Sequence, residues 1–188
     1  MKRKPTTRMV DKSHRFLKRF NKQFIVPRTS EEFFVMSGRD QDLWTQTTGA
    51  VSDMRAKKTS RAKAAVSHGL SPRQLQSLGG KALRKLKSGR YVAKSYDRLL
   101  RVVVIPIADG LMEVATNDSR EASRAGRFSA AVERYLQTGD DSALREFHGQ
   151  HIRDANGNHI PLVTDLGKLN QLGSAGELSF ESFYARSA

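Results

Sequence analysis

Cysteine is absent from all 188 residues. That excludes disulfides, thiol nucleophiles and cysteine-ligated zinc, and it suits a reducing compartment. Long apolar runs are missing too: nothing approaches the roughly 20 residues of a membrane span. The first residues are basic, but no apolar core of about 7–15 residues follows, so no secretory leader is expected. HExxH, GxSxG and GxxxxGK[ST] do not occur, so zinc-protease, serine-hydrolase and nucleotide-hydrolase chemistry lack their parts. Asp97, Asp109, Glu113 and Asp118 lie near predicted strand ends, but their spacing fits no two-metal nuclease pattern. Asp109 is better read as a turn residue and Asp118 as a helix cap. His148, His151 and His159 with Asp154 are the one conceivable zinc set, and they read instead as loop histidines in solvent. The chain is therefore expected to be no enzyme and to hold no cofactor or metal.

Acidic residues are scarce in two particular stretches, and this is the strongest positive signal. Residues 1–28 carry ten Lys/Arg against one acid, Asp11, and residues 55–101 carry fourteen against one, Asp97. Residues 29–54 and 102–188 are each near −4, within a total of +14. A charge needed only for solubility would be spread evenly. Concentration in the N-terminal half points to a polyanionic partner there.

Residues 1–10 read as a loose basic arm. From Asp11 to Ile25, Phe16, Leu17, Phe20 and Phe24 recur at helical spacing opposite Lys12, Arg15, Lys18, Arg19 and Lys22, a basic amphipathic helix that Pro27 stops. Such a helix suits a membrane surface, but no independent anchor accompanies it and no membrane partner is expected. Thr29 and Glu32 form a capping-box pattern ahead of Phe33 and Phe34, predicting a short helix ending near Gly38. Trp44, Thr47, Val51 and Met54 predict a further helix from about Asp40 to Ala56, with Gly49 as an anomaly inside it.

The segment 61–80, RAKAAVSHGLSPRQLQSLGG, carries the sharpest local pattern. Two helices meeting across a tight turn need small residues at their contact, a turn residue tolerant of positive φ, and apolar anchors on the second helix. Ala64 and Ala65 are the small contacts, Gly69 the turn, and Leu70, Leu75 and Leu78 the anchors. Ser71 caps the second helix and Pro72 fits its first position. Arg73, Gln76 and Ser77 then face outward. Two positions depart from the pattern: His68 replaces an apolar residue, and Gly79-Gly80 ends the second helix early. A further short helix is expected at Lys81–Lys87.

After Gly89 the period changes to that of strands at Arg90–Lys94, Leu99–Ile107 and Leu111–Thr116, with Asp109-Gly110 as a hairpin turn and Pro106 at an edge. Asp118 or Ser119 caps a helix to about Thr138, which Gly139 closes. A short helix at Ser142–Phe147, a hairpin of Ile152–Arg153 with His159–Val163 around Asn156-Gly157, and a helix capped by Thr164 or Asp165 follow. The tail Gly176–Tyr184 is expected to pack back onto this part. The expected fold is α+β: a flexible arm (1–10), a helical helix-turn-helix domain (11–88), and a small mixed α/β module with antiparallel strands (89–188). That module serves for dimerisation or partner binding through 102–188.

The segment 61–80 resembles the helix-turn-helix of bacterial regulators, recombinases and sigma-type factors. The whole chain also resembles a bacterial family of unknown function, on GRYVAKSYDRLLRVVVIP (89–106), DSREASRAGRFSAAVERYL (118–136) and LSFESFYAR (178–186); this likeness implies a single evolutionary unit and no activity. The helix-turn-helix resemblance implies a DNA-binding protein, a transcriptional regulator or an accessory factor of a mobile element, located in the cytoplasm with the nucleoid. Ser71, Arg73, Gln76 and Ser77 are then the base-reading candidates. Phosphate contacts fall to Lys2, Arg3, Lys4 and Arg8 of the arm, to Lys57, Lys58, Lys63, Lys81, Arg84 and Lys85, and to Arg90, Lys94, Arg98 and Arg101. The competing expectation is an RNA-binding or ribosome-associated protein, with Tyr91 and Tyr96 stacking among Arg90, Lys94, Arg98 and Arg101, or a structural subunit of a nucleoprotein complex.

Overall fold

A computed structural model of the protein describes residues 24–174; the basic arm, most of the helix expected over Asp11–Ile25 and the tail Gly176–Tyr184 lie outside the described residues. Helix α1 (Ser30–Phe34) is capped by Thr29, whose hydroxyl accepts from the Glu32 amide at 3.2 Å. The Glu32 carboxylate reaches one residue further back than a regular capping box, to the Arg28 amide at 2.7 Å. The helix stops at Phe34, short of the expected Gly38. Ser37 caps helix α2 (Gly38–Ala56), which buries Trp44, Thr47, Val51 and Met54, the stripe its spacing predicts.

Helices α3 (Arg61–Ser67) and α4 (Pro72–Gly79) form the expected pair across a turn at Gly69, whose φ is +70°. Ala64, Ala65, Leu70 and Leu75 close with Ala50, Val51 and Met54 of α2 into one core. Two of the sequence's irregularities, Gly49 and His68, are halves of a single contact. A side chain at Gly49 would put its Cβ 2.8 Å from the His68 ring, so α2 has glycine where His68 comes closest. His68 Nε2 lies 3.1 Å from Asp53 Oδ2, which gives the imidazole a polar partner at the core's margin.

No helix forms at Lys81–Lys87. Gly80, at φ +42°, ends the helical run through a 3₁₀ turn at Gly80–Ala82. Strand β1 (Leu83–Lys85) then pairs antiparallel with β2 (Tyr91–Ala93). Leu83 is 8% exposed and packs into the α2–α4 core, while Arg84 and Lys85 are exposed. The hairpin tip is a tight turn in which Gly89 donates to the Leu86 carbonyl at 2.9 Å. A boundary after residue 88 therefore falls inside a hairpin, and β2 belongs with the helices.

Strands β3 (Arg101–Ile107) and β4 (Gly110–Thr116) form the long antiparallel hairpin. Ile107 pairs with Gly110, so the two-residue loop is Ala108–Asp109, one position before the expected pair. Pro106 sits in a strand with one neighbour, where its missing N–H is tolerated. Helix α5 (Ser119–Thr138), capped by Asp118 and closed by Gly139, lays Ala125, Phe128 and Val132 on Ile105 and Val114. A 3₁₀ turn at Arg145–Phe147, the hairpin β5 (His151–Arg153) and β6 (His159–Pro161), and helix α6 (Leu166–Ser174) complete this core with Phe147, Ile152 and Leu169. The architecture is mixed α+β: helices first, then small antiparallel two-stranded sheets against one long helix. Among the described residues no helix is long and apolar enough to cross a membrane.

The two parts are joined by buried polar bonds as well as apolar contact. Phe33, Trp44, Leu100 and Ala115 form a shared cluster, in which the Trp44 indole donates to the Leu100 carbonyl at 2.8 Å. Beside it, Asp97 accepts from Arg101 at 2.7 and 3.0 Å and from the Leu99 amide at 2.9 Å, and Arg55 forms an ion pair with the same carboxylate.

Candidate nucleic-acid interface

The second helix of the pair, α4, is fixed before its outer face is considered. The Ser71 hydroxyl accepts from the Gln74 amide at 3.2 Å, and the Gln74 side chain accepts from the Ser71 amide at 2.8 Å, a complete capping box. Leu75 and Leu78 anchor the inner face. Arg73, Gln76 and Ser77 are exposed on the other side, as the spacing predicts.

Their situations differ. Arg73 and Ser77 make no side-chain hydrogen bond or ion pair among the described residues, so both can meet a ligand without breaking an internal contact. Gln76 is engaged at both ends: its carbonyl oxygen accepts from Arg61, and its amide donates to the Tyr91 hydroxyl at 2.9 Å. The Arg61 guanidinium also lies 4.6 Å from the centre of the Tyr91 ring. Helix α3, helix α4 and the β1–β2 hairpin are thus tied together at this residue. Ser71 serves its cap.

The phosphate candidates divide as clearly. Asp97 is the only acid in 55–101, and its side chain is just 2% exposed. Burial pushes its carboxyl up, but the hydrogen bonds and charge of Arg101, the Leu99 amide and the charge of Arg55 outweigh that and hold it below the usual range. Arg101 does not join a phosphate surface. It is 6% exposed and spans Asp97 with both terminal nitrogens, because a buried carboxylate needs a buried cation. Lys57 pairs with Asp53 at 3.1 Å. The Asp53 carboxyl is likewise lowered: partial burial opposes this, and His68 and Lys57 overcome it.

Lys58, Lys63, Lys81, Arg84, Lys85, Arg90, Lys94 and Arg98 are all exposed, and none pairs with a carboxylate among the described residues. Lys87, at the hairpin tip, is exposed beside them. The surface of 55–101 thus presents cations with no carboxylate of its own between them. Lys2, Arg3, Lys4 and Arg8 lie outside the described residues.

A groove of about 710 Å³ opens between the α2–α3 turn and the β1–β2 hairpin, lined by Lys58, Arg84, Arg90, Lys94, Tyr91 and Tyr96. The sequence pointed to Tyr91 and Tyr96 as a pair among basic residues, but not to Lys58 beside them. That neighbourhood depends on the hairpin, which high helix propensity over 81–87 conceals. Compared with family models, curated proteins and solved structures, the chain matches none significantly.

Proposed function

We propose that this protein binds duplex DNA with sequence preference, inserting α4 in the major groove and gripping the flanking phosphates with the hairpin and the turns around it. The observation that carries the reading is the exposure of Arg73 and Ser77, uncommitted, on a capped and anchored helix whose surroundings bear cations and no exposed acid from 55–101. A guanidinium in that position can donate two bonds to a guanine edge. The lysines and arginines around it set register without reading sequence. Gln76 reads a base only by leaving Arg61 and Tyr91, so it is the weaker reader. A transcriptional regulator or a mobile-element accessory factor is the role this chemistry suits, with the 102–188 module as the surface for a second copy or a partner.

Binding to RNA is the second reading, favoured by one observation: Tyr91 and Tyr96 line a basic groove, where unpaired bases stack. Selection from random duplex-DNA and random RNA pools at near-physiological salt tests both. The expected result is an enriched duplex motif, together with a loss of roughly 1–3 kcal/mol and relaxed selectivity at one position in Arg73→Ala. Retention of RNA in preference to DNA, with Arg73→Ala indifferent, would sink the duplex reading.

A further inference from the structure

We infer that the groove between the α2–α3 turn and the β1–β2 hairpin is a site for one nucleotide unit, an aromatic base joined to a phosphate. This goes beyond duplex binding, since no residue of α4 lines the groove. Its volume, about 710 Å³, falls in the range of small-ligand sites, roughly 300–1,000 Å³. Five cations line it, Arg55, Lys58, Arg84, Arg90 and Lys94, and no carboxylate does; Arg55 is held by Asp97, and the other four pair with no carboxylate among the described residues. An anion entering there meets attraction from both walls.

The aromatic half of the ligand has its own provision. Tyr91 and Tyr96 both line the groove, and each ring is steadied by an arginine, Arg61 at 4.6 Å and Arg120 at 5.4 Å. Met54 and Val92 add apolar lining. A bare phosphate site needs cations alone, and a hydrophobic ligand needs none. Stacking rings and cations along one groove match a base and its phosphate together.

Lys58 supplies an independent mark. It follows the α2 C-terminus at φ +49°, the only positive φ outside glycine among the described residues. Glycine is the favoured residue there, because an L side chain is strained in that conformation. The chain instead places a cation at the groove's rim.

Two sources offer this chemistry: a free nucleoside monophosphate, and an unpaired nucleotide within a strand. Calorimetric titration of the full-length, nucleic-acid-free protein distinguishes them, using adenosine 5′-monophosphate, adenosine, inorganic phosphate and a short single-stranded oligodeoxynucleotide. The monophosphate should bind at least about tenfold more tightly than adenosine or phosphate, and Ser95→Glu, which sets a like charge in the groove, should remove that advantage. Ser95 is exposed, so the change should leave the thermal melt in place; Thr59→Glu, on the opposite wall, serves if it does not. An oligonucleotide much tighter than the monophosphate assigns the site to a strand, and equal affinities assign it to a free nucleotide.

The site is refuted if neither nucleotide form binds better than inorganic phosphate, or if both glutamate variants bind as the parent does. Duplex binding, measured in parallel, separates the two proposals. Nucleotide failure with duplex selectivity intact overturns the groove alone, and the reverse overturns the duplex reading alone.

Discussion

Asp97 is where charge and fold meet at the scale of single residues. Its carboxylate holds Arg101 in the interior and engages Arg55 at the seam between the helices and the sheets. Asp97→Asn keeps the shape but leaves both guanidiniums without a counter-charge, so it should cost about 3–5 kcal/mol in urea unfolding at pH 7. Its acid dependence should change as well. A carboxyl held below its ordinary value in the folded state stabilises the fold above the unfolded value, near 3.9, and that contribution is lost as pH falls through the folded value. The parent should therefore lose stability more steeply than the variant below about pH 4. Equal slopes would show that Asp97 is not held ionised by its partners. Lys58 gives a second test with two opposed signs. Lys58→Gly should raise stability by about 0.5–1 kcal/mol, by relieving the left-handed conformation, while lowering the salt slope of nucleic-acid binding by about 1. Residue exposure was only partly legible in the sequence. Arg73 stands where helical spacing puts it, whereas Arg101 looks identical to Arg98 until the buried Asp97, four residues before it, is seen to require it.

At the scale of elements, the contrast lies between α4 and the hairpin after it. Helix α4 is legible because its signals are local: a serine cap, a proline at the first position, and leucines one turn apart. The stretch 81–87 misleads because Lys, Ala, Leu and Arg all favour helix. What decides its state is non-local: the positive φ at Gly80, the burial of Leu83, and pairing with Tyr91–Ala93 across the turn. The tie between these two elements is the Gln76 side chain, bonded to Tyr91 on one side and Arg61 on the other. Tyr91→Phe removes one of those bonds and no charge. It should cost about 0.5–1.5 kcal/mol in thermal unfolding and leave the salt slope of duplex binding unaltered. A changed slope would mean that Tyr91 orders the cations around it, and that the hairpin is positioned through this hydroxyl.

For the whole molecule, the sorting of charge along the chain becomes a sorting in space. Residues 55–101 form the turn-linked helices and the short hairpin, while 102–188, near −4, builds most of the long hairpin, α5 and their core. The boundary after residue 88 was misplaced because composition changes there while pairing does not: β1 lies before it and β2 after. A compact basic surface has a measurable consequence. If about five of the exposed cations neutralise phosphates at once, log K should fall with log salt at a slope near −4.5, so raising salt from about 50 to 200 mM weakens binding roughly 500-fold. Lys85 is exposed on β1 and pairs with no carboxylate among the described residues. Lys85→Ala should bring the slope to about −3.6 and the same salt step to roughly 150-fold, equally on every sequence tested, because a phosphate contact carries no base information. Titrations at four or five salt concentrations on two unrelated duplexes measure this directly. A slope near zero in the parent would detach the charge asymmetry from nucleic acid altogether. A loss confined to one duplex would move Lys85 from the phosphates to a base edge, and with it the orientation in which α4 and the hairpin meet the groove.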